Sequence, residues 1–141
     1  MKKLNIKNRN EHITDQQTKD TGSIYTPTAI VDKLLGYMPY DRLLDNEQWF
    51  IEPCAGTGNI VLGILDRRVA LGVKPDIALS HIIANELLEE TYNILKQRLK
   101  YWATSHNIDE SIVDERCFNM DMWKFFDIMR ESQCSLSCFL S

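Results

Sequence analysis

The octet Glu52-Pro53-Cys54-Ala55-Gly56-Thr57-Gly58-Asn59 constrains the fold of this chain more than any other segment. It follows a short apolar run, Trp49, Phe50 and Ile51, and precedes Ile60 to Leu71, where apolar residues recur at helical spacing. A strand therefore hands over to a helix across a glycine-bearing turn. Glycine adopts backbone conformations that other residues avoid, and a helix start presents unpaired amide hydrogens, so such a turn lets the backbone approach a nucleotide-like ligand closely. The nicotinamide-dinucleotide fingerprint asks for a further glycine where Val61 stands, which disfavours that reading. A Walker-type phosphate loop asks for Lys-Ser/Thr where Asn59-Ile60 stands, which excludes it. On the octet alone, a plain turn that binds nothing stays open.

Around the octet the chain divides into three parts. Residues 1 to 20 are polar and read as a loose leader. Their Lys2, Lys3, Lys7 and Arg9 precede no apolar signal core, so they are a solvated stretch or a phosphate-touching arm. The body runs from 21 to 130, and residues 131 to 141 form an irregular tail without clear period. Within the body, Ile30, Val31, Leu34, Leu35 and Met38 predict a helix over 28–38, capped by Thr28 and stopped by Pro39. Ile77 to Ala84 is apolar enough for a second buried strand, ending in Asn85-Glu86. Leu88, Tyr92, Leu95, Leu99 and Trp102 then form a helical stripe. A third strand is weakly signalled over 113–119, and Met122 to Met129 reads as a short helix. Helices alternating with strands imply parallel pairing, because parallel neighbours need a crossover and the crossover is normally a helix. The expected fold is thus an α/β sheet of about three parallel strands with flanking helices, its ligand beyond the carboxyl ends of the strands.

Composition narrows the function classes. With 16 basic and 20 acidic residues the net charge is -4, so no overall basic field draws in a nucleic acid and any DNA contact must be local. No apolar stretch approaches the roughly 18 residues of a membrane span, so no membrane role is expected. Cys54, Cys117, Cys134 and Cys138 form no CxxC pair, and His12, His81 and His106 are scattered, so no metal site is expected. Reduced thiols and the lack of a signal core point to the cytoplasm. Trp102, Trp123, Phe125 and Phe126 read as core or interface residues.

Two acids complete the site pattern. Glu86 follows the second strand and Asp121 the third, where one carboxylate can accept hydrogen bonds from ribose hydroxyls and the other from an adenine amino group; singly each also reads as a solvated surface charge, and it is their joint placement at successive strand ends that counts. At these residues the chain resembles the amino-group DNA methyltransferases that use S-adenosylmethionine, especially the adenine-specific ones whose cofactor motifs precede the catalytic motif. The resemblance rests on Gly22-Ser23-Ile24-Tyr25-Thr26-Pro27, on Ile51 to Asn59, on Ile83-Ala84-Asn85-Glu86-Leu87 and on Asn119-Met120-Asp121-Met122. It implies a Rossmann-like methyltransferase sheet and a cofactor site built from Tyr25, Thr26, Pro27, Glu52, Pro53, Ala55, Gly56, Gly58, Asn59, Glu86 and Asp121. Glu86 would take the ribose and Asp121 the adenine.

The family's catalytic segment, Asn/Asp/Ser-Pro-Pro-aromatic after strand four, has no counterpart here. The four prolines are Pro27, Pro39, Pro53 and Pro75, all isolated. No catalytic residue is therefore assigned, and Pro53-Cys54 is a turn rather than a nucleophile. The resemblance implies a sheet truncated before strand four, with Trp49 to Ile51 left on an open edge. The tail, with Cys134, Leu136, Cys138, Phe139 and Leu140, is either a short strand for that edge or an accidental ending. The expected function is the cofactor-binding part of an adenine-specific DNA methyltransferase, inactive alone, meeting DNA through a missing or separate region. Its alternatives are one half of a split enzyme completed by a second chain, and a non-catalytic S-adenosylmethionine-binding module. RNA and protein amino-group methyltransferases share the cofactor motifs.

Overall fold

The computed structural model describes residues 26 to 132. Its elements run α1 (Thr28–Gly36), α2 (Tyr40–Leu44), β1 (Phe50–Glu52), α3 (Asn59–Ala70), α4 (Pro75–Ser80), β2 (Ile82–Asn85), α5 (Glu89–Ser105), a 3-10 turn (Glu110–Glu115), β3 (Cys117–Phe118) and α6 (Met122–Glu131). The strands form one parallel sheet in the order β1-β2-β3. Phe50, Ile51 and Glu52 lie opposite Ile82, Ile83 and Ala84, while Ala84 and Asn85 lie opposite Cys117 and Phe118. Three parallel strands with flanking helices make the partial Rossmann-like sheet expected from the sequence. Tyr25, the leader and residues 133 to 141 lie outside the described residues.

Strand alternation divides the core. Ile82 and Phe50 face the larger cluster, built with Val31, Leu62, Leu65, Leu95, Leu99 and Trp102 from α1, α3 and α5. Ile83 and Ile51 face the other side, where α6 lays Phe125 and Met129 against them. Both faces of β2 are therefore covered, which is why all its residues are buried and why it reads as a continuous apolar run. The stripe on α5 buries Leu95, Leu99 and Trp102 as its spacing predicts, and the Trp102 indole donates to Asp66 Oδ1 at 2.8 Å.

Several elements depart from the sequence reading. The stretch expected to be strand from Ile77 is helical until Ser80, because Pro75 occupies the first helical turn and Asp76 beside it favours the helix start. Ser80 Oγ donates to Ile77 O, and His81 Nδ1 lies 3.0 Å from the same carbonyl, closing the helix just before β2. The cap of α1 is Pro27, not Thr28, and only Val31 and Leu35 of its apolar face are buried. Pro39, expected as a stop, instead starts α2. That short helix is anchored by Arg68, wholly buried, whose Nε donates to Leu43 O and Nη2 to Asp45 O, with its guanidinium 5.1 Å from the Phe50 ring centre. The third strand shrinks to two residues because Glu110–Glu115 winds into a 3-10 turn, started by Asp109 accepting from Ser111 N and tied to α5 by Asp114 between Lys96 and Lys100. Trp102 and Phe125 are core as expected, whereas Trp123 is 70% exposed.

Gly58 carries the sharpest steric demand. Its φ is +94°, and a Cβ there would sit 2.6 Å from Leu95 Cδ1, inside a wholly buried side chain. Gly72 shares the left-handed conformation, at φ +104°, but faces open space. Gly58→Ala should therefore cost about 2–4 kcal/mol, from backbone strain plus overpacking, and Gly72→Ala only about 1 kcal/mol. Urea unfolding midpoints of the two variants check the difference.

Candidate functional site

Parallel strands end together, so β1, β2 and β3 deliver the octet, Glu86 and Asp121 to one edge. The octet turns tightly there. Cys54 N donates to Glu52 Oε1 at 3.2 Å, Ala55 N to Asn85 O at 2.8 Å, and Gly58 N to Ala55 O at 2.9 Å. Gly56 and Gly58 both have positive φ, 57° and 94°, so a side chain at either would be strained.

Glu86 is fixed by backbone amides from both sides. Gly56 N donates to its Oε2 at 2.8 Å and Leu88 N to its Oε1 at 3.1 Å. Each carboxylate oxygen keeps a further lone pair, so the group is oriented but still able to accept from a ligand. Asp121 caps α6, its Oδ1 accepting from Trp123 N at 2.9 Å and Lys124 N at 3.4 Å; neither bond engages Oδ2.

Asn85 is the member the sequence reading missed. Only 1% exposed, it donates from Nδ2 to Pro53 O at 3.0 Å and Met120 O at 2.9 Å, and its Oδ1 accepts from Met120 N. One side chain thus ties together the loops that follow β1 and β3. Asn119 adds a second tie, its Nδ2 donating to Glu86 O and Leu87 O. A polar residue ending a wholly apolar strand was the available signal. The N-terminal segment joins through Thr26, whose carbonyl accepts from Asn59 Nδ2 at 2.9 Å, and Pro27, whose carbonyl accepts from Ile30 N and Val31 N.

Arg98 is the second missed residue. It lies three positions after Leu95 and four before Trp102, hence within the α5 stripe, and is 2% exposed. Its Nη1 lies 2.6 Å from Thr57 O and 3.0 Å from Asn59 Oδ1.

The electrostatics are uneven. Burial raises the Glu52 carboxyl above its ordinary 4.5, only partly offset by the Cys54 amide. The Cys54 thiol is pushed up by desolvation and by the Glu52 and Glu86 carboxylates, so it stays protonated at neutral pH, the reverse of an activated nucleophile. Its sulfur lies 3.6 Å from Met122 Sδ, closing the rim between the β1 and β3 loops. Cys117, in the core, is pushed up to about 12 by burial. The start of α3 has no side-chain cap. Thr26, Cys54, Ala55, Gly56, Thr57, Asn59 and Ile60 enclose a cavity of only about 50 Å³, so a larger ligand must lie mainly in the open crevice along the sheet edge. A bigger groove, about 320 Å³, adjoins the site at Glu52 and Ile60 and runs along the edge of β1 that is unpaired among the described residues, between Met38, Trp49, Ile51 and Ile64.

No cluster of metal-ligating side chains occurs among the described residues, and no described helix is long and apolar enough to cross a membrane. The structure thus gathers Thr26, Pro27, Glu52, Pro53, Ala55, Gly56, Gly58, Asn59 and Glu86 in one hydrogen-bonded constellation, with Asp121 at its β3 end.

The chain is 29% identical over 108 residues to the Type II methyltransferase M.VspI of Vibrio sp. (strain 343). The match covers 77% of this chain and 23% of that protein, so the chain spans about a quarter of the relative's length. No family model matches, and no solved structure matches.

The raised Glu52 pKa has a definite sign. Well below 4.5 the group is protonated both folded and unfolded and contributes nothing; as pH rises from 4.5 through the raised folded value, ionisation is disfavoured in the native state and stability falls. Glu52→Gln keeps an oxygen for the Cys54 amide and removes that penalty. Its melting temperature should exceed wild type at pH 7 and converge with it at acid pH, as thermal denaturation across pH can show.

Proposed function

We propose that this chain is the S-adenosylmethionine-binding part of a DNA methyltransferase acting on the adenine amino group. The observation that carries the reading is the Glu86 carboxylate, held by the Gly56 and Leu88 amides beside an uncapped helix start, in a chain similar to a Type II methyltransferase. The strand order supports a single pose. With β1, β2 and β3 side by side, the octet, Glu86 and Asp121 lie in that order along the edge, so a nucleoside with its ribose at Glu86 extends its base toward Asp121 and its amino-acid end toward the octet.

The donor set fits such a ligand. Glu86 accepts from ribose hydroxyls, and Asp121 accepts from the adenine amino group through Oδ2 while Oδ1 stays in the helix cap. The start of α3, where no side-chain cap is seen among the described residues, suits a carboxylate through the positive end of the helix dipole, and Glu52, costly to ionise alone, suits an ammonium. Thr26 and Pro27 border the same end through the Asn59 side chain, and Tyr25 precedes them in the sequence. The bound cofactor supplies a methyl group on a sulfonium; the residues of this chain bind and orient it and keep its cationic end beside acids.

Methylating adenine in duplex DNA further requires a flipped base, stacked and hydrogen-bonded against the methyl donor. The 141 residues contain no proline-pair segment for that task, and we assign it to a further region of a longer protein. A second reading, one half of a split enzyme, is favoured by the groove along the edge of β1 that no described strand pairs with, where another chain could add a strand. In either case the site acts in the cytoplasm, where its thiols stay reduced.

Calorimetry tests the cofactor reading. S-adenosylmethionine should give saturable heat with the purified chain, and Glu86→Ala should weaken binding by about tenfold or more, the worth of at least one hydrogen bond to a charged group. No heat with wild type would favour a module that keeps the fold without the ligand. Radiolabelled methyl transfer to DNA should be absent with this chain alone; transfer by the chain alone would overturn the assignment of the catalytic segment to another region.

A further inference from the structure

We infer that Arg98 is a positioning residue for the ligand-facing turn, and that through Asn59 it also fixes the Thr26-Pro27 segment. The inference rests on the cofactor reading only in assigning the ligand's amino-acid end to that turn. Thr57 stands between two glycines of positive φ, and a peptide unit flanked by glycines rotates readily unless both its ends are held. Here both ends are held. The Gly58 amide donates to Ala55 O at 2.9 Å, and the Thr57 carbonyl accepts from Arg98 Nη1 at 2.6 Å, with Thr57 Oγ1 a longer 3.3 Å away. Arg98 thereby blocks the peptide flip that would re-aim the turn.

The same nitrogen starts a directed chain of hydrogen bonds. A guanidinium has donors and no acceptor, so the Asn59 atom facing it at 3.0 Å must be Oδ1. That leaves Asn59 Nδ2 to donate to Thr26 O at 2.9 Å, beside the Pro27 carbonyl that accepts the first amides of α1. Arg98 on α5, Asn59 at the start of α3 and Thr26 ahead of α1 are thus one relay. Thr57, Asn59 and Arg98 are 1%, 4% and 2% exposed, so water does not substitute readily for the links among these three. Arg98 itself is too buried to meet a ligand and acts only through the turn.

Hydrogen exchange and calorimetry on the full chain test the relay with Arg98→Met, Arg98→Lys and Asn59→Asp. The aspartate can still accept from Arg98 but cannot donate to Thr26. Asn59→Asp should speed exchange of the Ile30 and Val31 amides and spare that of Gly58, whereas Arg98→Met should speed all three while the β2 amides stay protected. Unchanged Ile30 and Val31 exchange in Asn59→Asp, or a uniform rise across the sheet in Arg98→Met, would overturn the relay. In calorimetry, Arg98→Met should weaken S-adenosylmethionine about tenfold or more relative to 5′-methylthioadenosine, which lacks the amino-acid end, and Arg98→Lys should recover part of the loss. Equal weakening of both ligands overturns the positioning role. Absence of heat with the wild-type chain overturns the cofactor reading instead, because the exchange pattern tests the relay without ligand.

Discussion

Parallel pairing puts the polar ends of all three strands at one edge, and every feature of the site follows from satisfying them there. Backbone groups at that edge leave the ladder together, and those that are buried need partners. Asn85 supplies them for the loops after β1 and β3, Asn119 for the turn after Glu86, and Arg98 for the carbonyl of Thr57. Each is an amide or guanidinium side chain, able to make several bonds in fixed directions, where a hydroxyl could make fewer. The outcome is a rim whose backbone is held from beneath while Glu86 remains available above it.

The two faces of the sheet are served unequally. α1, α3 and α5 bury a wide cluster on one side, whereas among the described residues α6 is the one helix covering the other, with Trp49 and Ile51 reached at its margin. Among the described residues β1 pairs only with β2. Edge strands that must stay solitary are usually blunted by charge, proline or a bulge, and here the run Trp49-Phe50-Ile51 is wholly apolar until Glu52 and Pro53 end the strand. Its composition is that of an interior strand, which fits the proposal that a further strand, from the same protein or another, belongs against it.

Much of this was legible in the residues because the signals were periodic or local. The octet fixed the junction of β1 and α3, and the α5 stripe fixed that helix, since close packing leaves few ways to bury Leu95, Leu99 and Trp102 together. The segment before β2 was misread because Ile77, Ala78 and Leu79 are apolar in a short helix just as they would be in a strand, and only Pro75 and Asp76 distinguish the two. β3 nearly vanished because Asp109 bonds locally to the Ser111 amide and Asp114 pairs with Lys96 and Lys100 on α5, both holding the preceding segment in a 3-10 turn. Asn85 and Arg98 escaped because their role lies in long-range partners, Pro53, Met120, Thr57 and Asn59, that no spacing rule connects.

The placement of Glu52 shows how such a site sets stability against binding. Its carboxylate ends β1 half-buried, with the Cys54 amide too weak a partner to offset desolvation. A residue chosen for the fold alone would be neutral here, since glutamine could accept the same bond without the penalty. An acid at this position makes sense where a cation arrives, because a charged partner in a poorly solvated place returns more than the desolvation it shares. Glu86 is solved differently. Its two backbone amides hold both carboxyl oxygens in place before any ligand is present, so it is oriented in advance, whereas Glu52 sits where ionisation is disfavoured without a cationic partner. On the proposed reading, the first acid fixes where the nucleoside lies, and the second rewards a ligand that brings positive charge to the turn.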